Sequence, residues 1–579
     1  MRSLLERRAP WLLLAILAAA AALRFWGIDF GLPYDGITYN SLTIEEIQEV
    51  HRAMKLGAGE YSWMFGKGGL YLLLFIEYGF YYGISWLFGW VSNTREFAQH
   101  VLQDRTTLYL IGRVTVALMG VATCFVVYQI AKRLYDQRVA LGAALIGATA
   151  YYHAAFSAVI NVDIGMTLAL WTSVLVYLEY EKTAKPRFLL GAGALGAVSI
   201  AFKLPGAVIL PLLWIALATT PRNRGAPRQT IRECATLFVS LLVTLTVIAP
   251  EWVRSIGDIV RYNFSALIQS ASAAVPDGDD LDSDIEAITI LHSGGWQLRY
   301  LEHLVKDYNV VLTASAAIAL VIGMLRRNRW DLIIGGFVVV FVGVMSLSDR
   351  TQAERYLLPI MPALWILGSR GAMAIGRRHW SLTAAALGLI VAVPSFGLVR
   401  QDIEKMQLDT RVHAKLWIEA NVPSGAKILM DGMRYRLSQA PPLNPDPATV
   451  ARSVKRASKE GEDLGRGVSK LALSVYKEAL GRVQGPTYEL ISTDHGLEVE
   501  TVQYYVDNCF NYIVTSSLIS ERFAPGGRAR EDYPDSANFY DSLSTDPRVR
   551  LVHEELPIRW KKSGPTIRIY KLATECGTG

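Results

Sequence analysis

Charged residues are scarce in this 579-residue sequence, where Asp, Glu, Lys and Arg make up 19% and hydrophobic residues make up 51%. A single soluble core does not hold so large an apolar fraction. Apolar stretches near the roughly 20 residues that cross a bilayer recur from Trp11 to Val399 and then stop. The sequence therefore predicts a polytopic α-helical membrane domain over residues 1–399 and a soluble α/β domain over residues 400–579.

Other absences exclude classes of function. The net charge of only +6 is spread between apolar runs instead of forming a basic patch, which argues against nucleic acid as a partner. The four cysteines, Cys124, Cys234, Cys509 and Cys576, show no metal-ligand spacing. The last two could pair if the terminal domain is extracytoplasmic, and the sequence leaves this open.

The basic residues predict a topology. Arg2, Arg7 and Arg8 precede the first apolar run, which resembles a signal peptide but leads into many more spans, so we expect an uncleaved helix with a cytoplasmic N-terminus. All later basic clusters fall inside if Leu108–Ile130 is the second crossing and Leu70–Trp90 lies along the outer surface or re-enters. The loop 29–107 and the terminal domain are then external. With these first two crossings, the sequence predicts about eleven in all. The other nine are Val139–Ser157, Ile164–Glu179, Phe188–Phe202, Pro205–Thr219, Ala235–Pro250, Val310–Leu325, Leu332–Leu347, Tyr356–Gly368 and Leu382–Leu398.

The external loop 29–107 contains charged residues that are candidates for a functional site. Glu45 and Glu46 are adjacent acids, and Lys67 lies between glycines just before an aromatic, apolar segment. Charged groups close to hydrocarbon are costly, so their presence there is a functional hypothesis. The alternative is an amphipathic helix with Glu45, Glu46 and Glu49 on its solvated face.

A second acidic segment, residues 276–286, contains Asp-x-Asp patterns. Such patterns occur in calcium-binding loops and in the metal sites of nucleotide-sugar transferases. This segment lacks the glycine at the sixth position and the final glutamate of a calcium-binding EF-hand loop, and no nucleotide-binding strand and helix surround it. A solvated acidic loop is the favoured interpretation. No tight ligand set is visible, so a divalent metal is possible and no cofactor is certain.

The sequence of the terminal domain predicts a mixed α/β structure. Thr410–Glu419 has helical spacing, and Lys427–Met430, Asn511–Thr515 and Thr566–Leu572 are predicted strands. No nucleophile with a neighbouring base is visible there, so we expect a cover or an acceptor-binding module.

These segments, in this order, resemble the GT-C glycosyltransferases, in particular bacterial proteins similar to dolichyl-phosphate-mannose protein mannosyltransferases and the lipid A aminoarabinose transferase. Thr43–Glu46 resembles the family's His-Pro-Asp-Glu, and Gly66–Tyr71 its Lys-Pro-Pro-Leu-Tyr. The segment from Asn161 resembles the Thr-x-Asp turn and the one from Ala201 the Thr-Lys turn. The segments from Gly112, Glu354 and Gly564 are also similar.

The resemblance implies transfer of a hexose or pentose from a polyprenyl-phosphate carrier to an acceptor outside the membrane, with inversion. Glu45 or Glu46 would be the carboxylate base. A cation would stabilise the departing lipid phosphate. Lys67 is the first candidate for that cation, and Lys203, Arg350 and Arg355 are further candidates because each is predicted at the external membrane boundary, with Tyr356 shaping the same pocket. Ordinary interfacial anchoring is the alternative for Arg350 and Arg355. Asp35, Tyr71 and Asp163 would bind the sugar or acceptor.

This sequence departs from the family pattern at Glu45, which stands where the family has Asp, and at Gly68 and Gly69, which replace its prolines. A transporter or flippase, or a non-catalytic relative that binds carrier lipid, stays an alternative. No internal repeat of the kind common in transporters is visible. The expected partners are the lipid-linked donor, membrane lipids and a protein, lipid or glycan acceptor. The expected location is the bacterial inner membrane, with the terminal domain periplasmic or extracellular.

Overall fold

The structure, a computed structural model, describes residues 2–32, 43–57, 68–250, 257, 299–346, 354–376, 380–432, 439–452, 485–527 and 529–574. The chain forms two compact units. The first comprises residues 1–28, 63–73 and 113–399, and the second comprises residues 29–62, 74–112 and 400–579. The predicted domain boundary at residue 399 stays a prediction.

The first unit is helical. Its helices are α1 (Arg2–Phe25), the first turn of α3 (Gly69–Leu87), most of α5 (Thr106–Leu134), α6 (Gln137–Thr149), α7 (Tyr151–Ser157), α8 (Val162–Thr183), α9 (Pro186–Phe202), α10 (Ile209–Thr219), α11 (Pro227–Ile248), α12 (Arg299–Glu302), α13 (Val310–Leu325), α14 (Arg329–Ser346), α15 (Met361–Ile375) and most of α16 (Trp380–Lys405). Short 3-10 turns cover Leu204–Val208, Pro221–Asn223 and Glu354–Ile360, and a π-helical turn covers His303–Asp307.

Within the described residues, eight helices are long and apolar enough to cross a membrane, or up to ten if each of two bent pairs is one span. These helices, together with two shorter apolar ones, Pro186–Phe202 and Leu204–Thr219, include all eleven predicted crossings. The additional one is α3, which the charge pattern assigns to the outer surface or to a re-entrant segment. Length and composition make α3 a candidate span as well.

One predicted crossing, Val139–Ser157, is broken. Helix α6 ends at Thr149, Ala150 adopts an extended backbone, and α7 continues at an angle of 59°. No proline lies in this segment, so the break has another cause.

The second unit contains α2 (Ile44–Gly57), the rest of α3, α4 (Thr94–Gln103) and a five-stranded sheet. The strands are β1 (Lys427–Met430), β2 (Glu489–Ser492), β3 (Tyr512–Ser516), β4 (Val549–Glu555) and β5 (Ile567–Leu572), in the order β2-β1-β3-β5-β4. Strand β1 is parallel to β2 and β3, whereas β5 runs antiparallel to both β3 and β4. The helices of this part are α17 (Thr410–Asn421), α18 (Val502–Asp507), α19 (Ser517–Ser520) and α20 (Pro534–Thr545).

Both faces of the central strand are covered, which explains its continuous apolar sequence. Ile428 and Met430 pack with Ile418 of α17 on one face, whereas Leu429 packs with Phe539 of α20 on the other. The three predicted strands and the predicted helix are all present. Strands β2 and β4 are additional.

Candidate functional site

The end of α9 lies against the start of α8 because small residues let the two helices approach closely. A Cβ atom at Gly165 would overlap the ring of Phe202, and the Ser199 hydroxyl donates to the Met166 carbonyl at 3.0 Å. This packing brings the residue after α9, Lys203, to the first turn of α8, where Asp163 lies.

Lys203 and Asp163 form a buried ion pair. The Lys203 Nζ lies 2.8 and 3.1 Å from the two carboxylate oxygens, and the side chains are only 12% and 3% exposed. The Asn161 side chain accepts from the Asp163 backbone N–H at 2.8 Å and so caps α8. A buried carboxylate with a fixed cation can orient a polar ligand but is a poor free base, because its negative charge is already compensated.

Two cations share one aromatic ring beside this pair. The Lys203 Nζ lies 4.9 Å and the Arg355 Cζ 5.5 Å from the ring centroid of Tyr356. Two positively charged side chains therefore lie beside the carboxylate of Asp163. Cations fixed in this way can contribute to the binding of an anion.

The Gly68–Gly69 backbone reaches the same end of α9. The Gly68 N–H donates to the Ala201 carbonyl at 3.0 Å, and a Cβ at Gly69 would lie 3.0 Å from the Phe202 nitrogen. A side chain at Gly69 would therefore force the first turn of α3 away from α9. Tyr71, in that first turn, is 2% exposed.

A second polar group lies in the other unit, on α2. Glu46 and Glu49 are one turn apart and only 0% and 4% exposed. Arg52 donates to Glu49 at 3.0 Å, and Tyr78 lies within electrostatic range of both glutamates. The alternative in which these two acids form a solvated face is therefore wrong.

Close by on α2, His51 accepts from Arg105 at 3.2 Å, and Arg105 is 6% exposed. Buried charges persist only when they are paired or hydrogen-bonded. The buried part of α2 thus combines these charged groups with the apolar side chains of Ile47 and Val50.

Several candidate residues lie outside the described residues. Asp35, Lys67 and Arg350 are among them, and of Glu45 only the backbone position in α2 is described. The roles of all the candidate residues stay predictions. Within the described residues, no group of three or more His, Cys, Asp or Glu side chains could hold a metal ion.

Three features of the site are absent from the sequence prediction. Asn161 has a usable signal, because Asn directly before an apolar helix is a typical N-cap. The close approach of Gly69 to α9 and the burial of Glu49 have none, since both depend on contacts between distant segments.

Residues 109–253, about a quarter of the chain, match the family model described as dolichyl-phosphate-mannose-protein mannosyltransferase. The match covers most of α5, all of α6 to α11, and both Asp163 and Lys203. No curated protein sequence matches the chain.

Several solved structures match this chain at low sequence identity. ArnT from Cupriavidus metallidurans bound to undecaprenyl phosphate has 13% identity and a TM-score of 0.47, over 98% of this chain and 99% of that one. Archaeoglobus fulgidus oligosaccharyltransferase AglB, in complex with an inhibitory peptide and a dolichol-phosphate, has 10% identity and a TM-score of 0.46, over 97% and 88%. The Saccharomyces cerevisiae Pmt1-Pmt2 complex bound to the sugar donor has 16% identity and a TM-score of 0.31, over 44% and 34%.

The family match and the apolar helices, not these superpositions, carry the assignment. They identify an integral membrane protein, and the resemblance read from the sequence is confirmed. Over residues 109–253 the chain is similar to the dolichyl-phosphate-mannose protein mannosyltransferases, as its resemblance to the GT-C glycosyltransferases predicts.

Proposed function

We propose that this protein transfers a sugar from a polyprenyl phosphate to an acceptor on the outer face of the membrane. The observation that carries the proposal is the placement of Lys203 and Arg355 around the ring of Tyr356 at the end of the apolar helix α9, where the buried carboxylate of Asp163 fixes the Lys203 ammonium group. A lipid phosphate combines the two properties that this environment favours, an anionic head and an apolar tail.

The cations have a role in the reaction itself. As the bond between the anomeric carbon and the phosphate oxygen breaks, its electron pair stays with the phosphate. Lys203 and Arg355 stabilise that growing negative charge, and fixed donors of this kind contribute about 10²- to 10³-fold to a rate. Asp163 holds the Lys203 ammonium group in place.

The acceptor requires a base. Its oxygen or nitrogen attacks the anomeric carbon from the side opposite the phosphate, with inversion, and its proton passes to a carboxylate. Glu46 is our first candidate because it is buried, and Glu45 is the alternative suggested by the family motif. A positioned base contributes about 10²- to 10⁴-fold.

The outer location is supported by two independent features. The predicted topology puts the terminal domain outside, and Cys509 in that domain is disulfide-bonded, whereas Cys124 and Cys234 are free. Disulfides form and persist in oxidising compartments. We therefore propose the bacterial inner membrane, with the terminal domain on its outer side, and a protein, lipid or glycan as acceptor.

The experiment is a transfer assay with the full chain in lipid nanodiscs, supplied with a panel of radiolabelled polyprenyl-phosphate hexoses and pentoses and an envelope extract as acceptor. Wild-type protein should release polyprenyl phosphate and label one acceptor class. Glu46→Gln should lower the rate by about 10²-fold or more with little change in donor binding. Glu96→Gln, at an exposed position on α4, is the matched control and should behave as wild type.

If wild-type protein transfers no sugar from any donor in the panel, the proposal fails. If Glu46→Gln and Glu45→Gln both transfer at the wild-type rate, the assignment of the base to α2 fails while the class of reaction stands. Movement of an intact lipid-linked sugar across a sealed vesicle, without transfer, would favour a flippase.

A further inference from the structure

Arg24 lies fully buried among apolar helices of the first unit, although no role follows for it from the proposed function. Its exposure is 0%, and it sits near the end of α1. A charged side chain is expensive in such a place and persists only with several partners. The partners of Arg24 identify what it does.

The guanidinium group of Arg24 binds the end of a broken helix. Its Nη1 donates to the Ala148 carbonyl at 3.1 Å, and its Nη2 donates to the Gly147 carbonyl at 3.1 Å. Both carbonyls belong to the last turn of α6, just before the break at Ala150. The last four carbonyls of any helix lack partners within the helix, and in an apolar surrounding each unpaired one is costly.

The Thr149 hydroxyl lies 3.0 Å from the Leu145 oxygen and 3.3 Å from the Ile146 oxygen, so its single proton is shared between these two carbonyls. Arg24 therefore supplies donors to two of the last four carbonyls, and Thr149 reaches a third. The break in this span needs no proline because Arg24 and Thr149 satisfy the groups that the break releases.

Arg24 also holds the helix on the other side of the break. Its Nη2 lies 3.0 Å from the His153 Nδ1, in α7. Because a guanidinium group only donates, His153 Nδ1 is the acceptor. A further bond from Nη1 to the Ala20 carbonyl, at 3.0 Å, fixes the guanidinium on α1. One side chain thus joins α1, the end of α6 and the start of α7.

Helix α7 in turn contacts the segment that carries Arg355 and Tyr356. It lies beside Glu354–Ile360, and the ring of Tyr152 is 4.9 Å from that of Tyr308, whose hydroxyl donates to the Glu354 carbonyl. In the sequence, α7 is also followed within six residues by Asp163. Both halves of the polar group around Lys203 therefore adjoin α7.

We propose that Arg24 is a positioning residue, which caps the broken end of α6 and clamps α7 so that Asp163 and the Arg355–Tyr356 segment are held in register. The clamp itself is independent of the reaction, and only its consequence for donor binding rests on the proposed function. Lysine cannot replace arginine fully, because its single ammonium group cannot span two carbonyls and an imidazole as the planar guanidinium does.

The first experiment is amide hydrogen exchange on the full chain in lipid nanodiscs without any lipid-linked sugar. In Arg24→Met, exchange across residues 151–163 should be about tenfold faster or more, as expected for the loss of charge-assisted hydrogen bonds. Arg24→Lys should show a smaller increase. Arg7→Met, at an exposed position on the same helix, should match wild type. Wild-type protection of residues 151–163 in Arg24→Met would overturn the proposal.

A second variant keeps the test decisive if Arg24→Met does not fold. A Cβ at Gly120 would overlap the Ser157 hydroxyl and lie 2.8 Å from the Arg24 Nε. Gly120→Ala should therefore displace the guanidinium or α7 while Arg24 itself is kept. Gly142→Ala, which would overlap the Ser369 hydroxyl instead, is the matched control. Faster exchange across residues 151–163 in Gly120→Ala alone supports the clamp, and equal behaviour of the two variants contradicts it.

The functional consequence is measured separately with undecaprenyl phosphate as the probe. Arg24→Lys should bind it about tenfold more weakly than wild type, without a matching fall in global thermal stability. Faster local exchange with unchanged binding would overturn the positioning role. Absence of binding in wild-type protein would instead count against the proposed function and leave the exchange result intact.

Discussion

Lys203 and Asp163 carry opposite charges, and the two side chains are both paired with each other and largely removed from solvent. Each side chain compensates the other at 2.8 Å, so neither is left as an isolated charge in an apolar surrounding. Removal of one partner from a buried ion pair usually destabilises a protein by about 3–5 kcal/mol, because the other charge stays buried and uncompensated. The pair therefore affects stability as well as the proposed binding of phosphate.

A double-variant cycle separates these two effects. We expect Lys203→Met and Asp163→Asn each to lower thermal stability, and the double variant to recover a large part of the loss because no buried charge is left. Donor binding should be weak in Lys203→Met and in the double variant alike, since both lack the cation. Thermal unfolding and undecaprenyl phosphate binding by the full chain measure the two quantities. Strong binding by the double variant would contradict the role of Lys203.

Asp431 is a buried acid in the second unit, at the end of β1. It accepts from the Tyr540 hydroxyl at 2.5 Å, the Ser516 N–H at 2.9 Å and the Thr493 hydroxyl at 3.1 Å, and so joins the ends of three parallel strands to α20. Burial raises the pKa of Asp431 to about 6, although these hydrogen bonds oppose the shift.

The raised pKa makes stability depend on pH with a definite sign. Between about pH 4 and pH 6 the folded protein keeps the Asp431 proton that the unfolded chain has lost, so this group's contribution to stability falls as pH rises through that window. A pKa of about 6 in place of 3.8 corresponds to a loss of about 3 kcal/mol of folding stability across this window. We expect Asp431→Asn to lack this slope in thermal unfolding from pH 4 to 7. Asp532→Asn, at an exposed position, should keep it, and parallel curves for Asp431→Asn and wild type would contradict the assignment.

Among the elements, the first turn of α3 is the one whose packing departs most clearly from its sequence. Paired glycines suggest a flexible junction, yet Gly68 is hydrogen-bonded to Ala201 and Gly69 contacts the α9 backbone. These glycines permit close packing between two helices. Where the family has prolines, this chain has a backbone N–H that donates to α9.

Two glycines of α3 offer a matched test of that packing. Gly69→Ala should destabilise the protein by about 1–3 kcal/mol, because the new methyl group meets backbone atoms that cannot move aside. Gly79→Ala meets nothing within 4 Å and should be neutral or stabilising, since alanine favours the helix. Thermal unfolding of the two variants measures the difference. A neutral Gly69→Ala would mean that α3 and α9 are not in contact.

The sequence pattern predicted regular helices and strands, but it did not predict the interruption of a helix. The helix Thr410–Asn421 and the strand Lys427–Met430 appear where the pattern predicts them, apart from two extra residues at the end of the helix. The break at Ala150 interrupts an unbroken apolar run, because it depends on donors that Arg24 supplies from another helix. No local propensity reports such a contact.

For the whole molecule, the two kinds of cysteine agree with the predicted topology. Cys124 and Cys234 lie in apolar helices and are free, whereas Cys509 in the terminal domain is disulfide-bonded. Cys576 lies outside the described residues. This difference is the one expected if the terminal domain is external, because disulfides form and persist in oxidising compartments.

Counting thiols tests this arrangement. In protein purified from membranes without reductant and then denatured, we expect a maleimide to label two cysteines, and four after reduction. Cys234→Ser should lower the first count by one, which identifies the free thiols. Mass spectrometry of the labelled chain measures both counts. Labelling of all four cysteines before reduction would contradict an external terminal domain.

The sequence by itself determined the apolar helices, the family they resemble and the α/β character of the terminal domain, because hydrophobicity and periodicity act locally along the chain. Only the tertiary structure decided which charges are paired. It places Lys203 beside Asp163, buries Glu46 and Glu49, and provides Arg24 as a hydrogen-bond donor to the end of the broken helix α6. The physical reason is that burial and charge pairing depend on neighbours supplied by distant segments, which a linear pattern does not encode.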